Sequence, residues 1–230
     1  MVLVALVPLF AATVAALLVA AAGWNRVTAW AAPGAGLVTI AAAAVLGRHV
    51  VDNGPVRGRG GLLRVDAVSC VALLTIGAVT VITATCGAGA ITAELSATVT
   101  TPRRARLYGT LVAVTVAAMT VVVTTDNLGV MWVAIEATTI FTVLLVGHRR
   151  DRLAVEAAWK YLVLGSVGVA TALLGTVVVY FVARHAGIDS AHALDWSALT
   201  ASTGRLDPAA LRLGIGLVVV VESHGLRCLR

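Results

Sequence analysis

The run from Leu128 to Gly147 constrains this sequence most. It is apolar throughout except for one charge near its middle, Glu136. About 20 such residues is the length an α-helix needs to cross the hydrocarbon core of a bilayer. Glu136 stands nine residues into that helix. Its short side chain reaches neither interface, and a carboxylate at that depth costs at least a few kcal/mol, so it faces a protein interior or a wet cavity. Burial and neighbouring cations push a carboxyl pKa in opposite directions, so a membrane carboxyl can take up and release a proton as its partner moves. The competing reading is a protonated, hydrogen-bonded group that only holds helices together. Glu136 is the first candidate functional residue.

Similar runs recur along the chain, and composition agrees. Hydrophobic residues make up 60% and charged residues 12% of the 230, where globular domains run near a quarter charged. Mean hydropathy is +0.98. The expected fold class is all-α, a polytopic transmembrane helix bundle. The formal charge of +6 does not point to nucleic acid, because the arginines fall in short loops between apolar runs, where positive-inside topology collects them. Cys70, Cys86 and Cys228 form no CxxC pattern and no Cys/His cluster. They read as packing residues, and no metal or other cofactor is expected.

In chain order, Val2 to Gly23 reads as a first spanning helix rather than a signal peptide, since it lacks a basic start and another span follows at once. Trp24 and Trp30 flank the first connection as interfacial aromatics. The second span is expected over Val27 to Gly47, loosened at Pro33-Gly34, and is followed by a polar loop from Arg48 to Arg64. The third runs from Val65 to Ile91 with Asp66 in its first turn, and the fourth from Leu107 to Thr124 after a link carrying Arg103, Arg104 and Arg106. A tight turn at Asp126-Asn127 leads into the Glu136 helix. The sixth span covers Ala154 to Ala183, with Gly168, Ala172 and Thr176 as a small-residue stripe for helix packing. From Arg184 to Arg212 the chain reads as a solvated loop, its His185, Asp189, His192, Asp195 and Asp207 too irregularly spaced for metal ligands. The seventh apolar run, Leu213 to Val221, would cover only roughly 14 Å as a helix.

The loop arginines favour an outside N-terminus, with Arg103, Arg104, Arg106, Arg149, Arg150 and Arg152 on the cytoplasmic side. The second loop, with Arg48, Arg57, Arg59 and Arg64, argues the other way. Lys160, one to two turns inside the sixth span, has two readings. Its ammonium can serve a buried carboxylate as a movable cation, or it can pair with Glu156 at i−4 as an interfacial anchor beside Trp159. Sequence position does not place Glu136 and Lys160 face to face.

At these residues the chain resembles a known family. The stretch DNLGVMWVAIEATT, a basic loop, and then EAAWKYLVLGSVGVATALLGT (Glu156 to Thr176) are similar to the proton-conducting membrane subunits of three assemblies. These are respiratory complex I, the multi-subunit cation/proton antiporters, and the energy-converting membrane-bound nickel–iron hydrogenases, to which the EAAWKYL wording looks closest. LRVDAVS, Leu63 to Ser69, is similar as well. The resemblance implies a membrane subunit without a redox site of its own, within a proton-translocating oxidoreductase of the hydrogenase or NADH:quinone type. It implies further membrane and peripheral subunits as partners, and a plasma or inner membrane location. In the family a fifth-helix glutamate works with membrane lysines along a hydrated path. Glu136 matches that glutamate and Lys160 a sixth-helix lysine. A cation/proton antiporter subunit, or a non-conducting piece with a structural role, are the alternatives.

Family members continue past the seventh helix, which supplies a further lysine, into a second inverted half. Here that segment is replaced after Val221 by ESHGLRCLR, so a truncated gene or altered reading frame is expected. The expected organisation is a pair of helices and a polar loop over residues 1–61, antiporter-like core helices three to six over 62–183, and a polar loop with an incomplete seventh helix over 184–230.

Overall fold

The computed structural model describes residues 1–58, 61–149 and 151–227, with the backbone alone for 219–227. Arg59, Arg150, Cys228 and Arg230 lie outside the described residues, as do the side chains of Glu222, His224 and Arg227. Among the described residues eight α-helices follow one another: α1 (Val2–Ala22), α2 (Ala31–Asn53), α3 (Ala67–Ser96), α4 (Pro102–Thr124), α5 (Leu128–Val146), α6 (Arg152–His185), α7 (Trp196–Ala201) and α8 (Pro208–Arg227). A two-stranded antiparallel hairpin, β1 (Val56–Arg57) and β2 (Arg64–Val65), joins α2 to α3. Among the described residues, six helices are long and apolar enough to cross a membrane. The protein is thus an all-α, multi-span membrane protein, as its apolar runs predict.

Helix boundaries differ from the sequence reading where capping decides them. Thr101 accepts a hydrogen bond from the Arg104 N–H, and Pro102 occupies the first turn. That combination starts a helix, so α4 begins before Leu107 and carries Arg103, Arg104 and Arg106 on its first turns rather than in a link. Asp66 caps α3 by accepting from the Ser69 N–H at 3.0 Å. α3 runs on to Ser96, and α2 continues past Gly47 to Asn53. Pro33 falls in the first turn of α2, where its missing N–H breaks no helical bond. The last helix is also longer than the nine apolar residues suggest. Asp207 accepts from the Ala209 N–H at 3.0 Å ahead of a 20-residue helix.

The helices α1 to α4 form the packed half. Its clusters are built on alanine: Ala15, Ala16, Ala35 and Ala113 meet in one, and Ala12 packs with Val116 and Ala117 in another. Between α1, α2, α3 and the hairpin, Leu46, Leu73, Val65 and the packing residue Cys70 are buried. In lipid, small residues let backbones come together where hydrophobic burial offers little drive. The closest approach is at Gly36 and Gly77, where a Cβ on Gly77 would stand 2.7 Å from Ile40 and 2.9 Å from the Gly36 carbonyl. α5 packs between α4 and α6, and α8 lies along α6. The tightest α6–α8 contact falls at Gly175 against Gly214, beside the stripe residue Thr176.

Candidate functional site

Asn127 sets the start of α5. Its side-chain oxygen accepts from the Gly129 and Val130 N–H groups at 3.0 and 3.1 Å, an N-cap of the strong kind. Glu136 follows nine residues later, near mid-span and half-buried. Its Oε2 is occluded and has no hydrogen-bond partner among the described residues. On α6, the Val169 carbonyl accepts from the Trp132 indole N–H at 2.9 Å. One turn past Glu136, a Cβ on Gly165 would touch Thr139 at 3.2 Å. Glu136 is therefore level with the Gly165 to Val169 segment of α6. A buried carboxyl oxygen without a hydrogen-bond partner is uncommon and calls for an explanation.

Lys160 is not at that level. Gly147 of α5 lies against Ala158, which puts Lys160 beside the far end of α5. Its ammonium donates to Glu156 Oε1 at 2.6 Å, with the two side chains 70% and 54% exposed. The structure thus forms the i,i+4 pair and brings no contact between Lys160 and Glu136 among the described residues.

The sequence reading missed a polar cluster at the end of the bundle where the connections α2–α3, α4–α5 and α6–α7 meet. Asp126 and Asp195 are buried, at 5% and 4% exposure. Asp126 Oδ2 accepts from the Ser197 hydroxyl, and its Oδ1 lies 3.8 Å from the Arg64 guanidinium. Asp195 accepts from Asn127 Nδ2 and from His192 Nδ1, each at 2.7 Å. Backbone bonds seal the junction: Asp126 N–H to Leu62 O, Leu128 N–H to Leu194 O, and Trp196 N–H to Asp126 O. Gly61, at φ 73°, holds the first loop close enough that a Cβ would meet Asp195 Oδ2 at 3.2 Å. The segment after α6 is thus a folded cap, not a solvated loop. Ile188, Ala193, Leu199 and Leu206 bury against Val179, Val182 and Ala183 of α6. The signal was present in these evenly scattered apolar residues, and the polar ones between them masked it. The carboxylate of Asp195 holds the His192 imidazole above its ordinary pKa, through their hydrogen bond first and charge second.

A bundle of six candidate membrane-spanning helices with an occluded mid-span carboxyl and a folded cap defines a polytopic helical membrane protein. Comparison with known proteins shows what it is similar to. Residues 125–218 match the NADH:quinone oxidoreductase/Mrp antiporter transmembrane family. The chain is 31% identical over 161 residues to a Hydrogenase-4 component F homolog of Methylacidiphilum infernorum (isolate V4), covering 70% of this chain and 34% of that protein. It is 39% identical over 61 residues to NADH-quinone oxidoreductase subunit N 1 of Aquifex aeolicus (strain VF5), covering 26% of this chain and 13% of the relative. In fold it matches a chain of the membrane-bound sulfane sulfur reductase, an archaeal respiratory membrane complex. The TM-score is 0.73 at 20% identity, over 96% of this chain and 43% of the other. The chain is similar to complex I/Mrp-type membrane subunits, and the hydrogenase-type relative aligns over most of it. It spans about a third of that relative's length.

Proposed function

We propose that this chain works as a proton-translocating membrane subunit of a redox-driven complex of the hydrogenase or NADH:quinone type, seated in the plasma or inner membrane. Electron transfer belongs to partner subunits. Glu136 carries the proton, and Lys160 modulates it from one end of the α5–α6 pair. The observation that supports this most is the occluded, unpartnered Oε2 of Glu136 at mid-span, inside the matched segment 125–218. A carboxyl with a structural role only would be expected to spend that oxygen on a neighbour. The Lys160–Glu156 pair fits a modulating rather than a carrying role, since an exposed pair couples weakly to a distant site.

The test uses inverted vesicles holding the assembled complex, with acidification followed by a quenched dye while electron transfer runs. Glu136→Gln should abolish dye quenching at normal assembly and electron flux. Lys160→Met should slow it by roughly threefold or less, in keeping with an exposed i,i+4 pair. Undiminished quenching in Glu136→Gln would assign the carrier elsewhere.

A further inference from the structure

α3 and α4 are joined by a short link, yet they touch over only part of their length. Between them lies an open-sided cleft of about 470 Å³, lined by Thr75, Val79, Thr80, Tyr108, Val112 and Met119 among others. Val79 is 52% exposed, so the cleft opens on the surface of the bundle. A second cleft of about 310 Å³ has the opposite character, lined by Glu94, Thr100, Arg104, His148, Arg149 and Asp151. Tyr108 lines the first, and its ring neighbour His148 lines the second. The Tyr108 hydroxyl rests over Gly87 of α3, where any side chain would collide with it, and its ring stands 5.3 Å from that of His148.

One face of α4 serves both clefts. Arg104, Tyr108, Val112, Thr115 and Met119 recur every three or four residues, so they form a single stripe. From Arg104 to Met119 the stripe is roughly 22 Å long, more than one leaflet of a hydrocarbon core about 30 Å thick. Among the described residues this end carries more cations than anions, with Arg103, Arg104, Arg106 and Arg149 against Glu94 and Asp151. Arg149 is paired with Glu94, and Asp151 caps α6 by accepting from the Ala154 N–H. Arg104 is half-buried and has no ion pair among the described residues, with Arg103 and Arg106 on the same helical end.

An apolar trough and a cluster of net positive charge, in line along one face of α4, are complementary to one kind of molecule. We propose that α3 and α4 bind a single anionic phospholipid, one acyl chain lying along Val79, Thr80 and Met119 and the phosphate on Arg104. Guanidinium meets phosphate oxygens with two parallel hydrogen bonds, and basic pockets between spanning helices select anionic head groups. The site is separate from Glu136, so this inference stands independently of the proton-carrying role.

The test is native mass spectrometry of the full chain, stripped of lipid by detergent exchange. It is then titrated with phosphatidylglycerol, with phosphatidylcholine of the same chains, and with inorganic phosphate. One phosphatidylglycerol should be retained, at least about tenfold more tightly than phosphatidylcholine, a difference of ~1.4 kcal/mol. Arg104→Gln should erase the preference and Arg104→Lys keep most of it. Val79→Trp, a change at an exposed position that fills the trough, should remove the bound lipid altogether. Equal binding of the two lipids would overturn the proposal. So would displacement of phosphatidylglycerol by inorganic phosphate, which marks a small-anion site, or unchanged binding in Val79→Trp.

Discussion

The two halves of the bundle solve the membrane problem differently. In α2, half of the most apolar window is buried inside the protein, whereas in α5 the share is 6%. The α1–α4 half is held by alanine and glycine contacts that bring backbones together. The α5–α6 pair has few such contacts, and its position depends on what grips its ends: the Asn127–Asp195 junction at one, and the Trp132 indole partway along. Apolar length therefore means two things in this chain. In α1 to α4 it supplies a core. In α5 it supplies a surface fit for lipid or other helices, with one occluded carboxyl on it.

This contrast can be broken from its largest element downwards. Asp126→Ala should cost most, about 3 kcal/mol, because it removes the buried acceptor for Ser197 and one of the two carboxylates beside Arg64, with Asp66 remaining at 3.7 Å. Denaturation in mild detergent, followed by the far-ultraviolet helical signal, reads it. Gly77→Val should come next, at roughly 1–3 kcal/mol, by overpacking the α2–α3 contact. Gly165→Ala in the looser pair should be nearly silent, since the single atom it meets is the Thr139 methyl at 3.2 Å. Trp132→Phe should cost about 0.5–1.5 kcal/mol by deleting the hydrogen bond to Val169. Tryptophan-specific fluorescence or hydrogen exchange across α6 would show whether the loss is local.

The smallest effect is one of pH. Because Asp195 raises the His192 pKa in the folded cap, the protonated imidazole stabilises the fold. That contribution is fully present below the ordinary histidine value, about 6.5, and fades as pH rises through the folded value. Melting curves taken across that window should show a modest decline in the wild type and a flatter line in His192→Gln. An unchanged slope in the variant would remove His192 from the cap's energetics.

Much of this architecture was legible in the sequence. Apolar runs located the six spanning helices, because a bilayer leaves the backbone no alternative there. The lone charge inside Leu128–Gly147 marked Glu136 before any fold was known. The i−4 spacing offered the Glu156–Lys160 pair, and the structure forms it. What was not legible depended on contacts distant in sequence. Asp126 and Asp195 are 69 positions apart, and nothing local in either neighbourhood reveals that Asn127, Ser197 and His192 will satisfy them. The polar residues of the cap looked solvated because their partners come from other loops. Helix ends were misplaced where caps at Thr101 and Asp207 outweighed hydropathy.

The account assigns holding the fold to the buried cap and carrying the proton to Glu136 on the exposed pair. The most direct measurement is the number of protons moved per electron in vesicles of Glu136→Gln, with thermal stability measured on the same preparation. The account predicts that the proton ratio collapses while the melting temperature stays at the wild-type value. An unchanged ratio, or a loss of stability as large as that of Asp126→Ala, would contradict it and make Glu136 a structural residue.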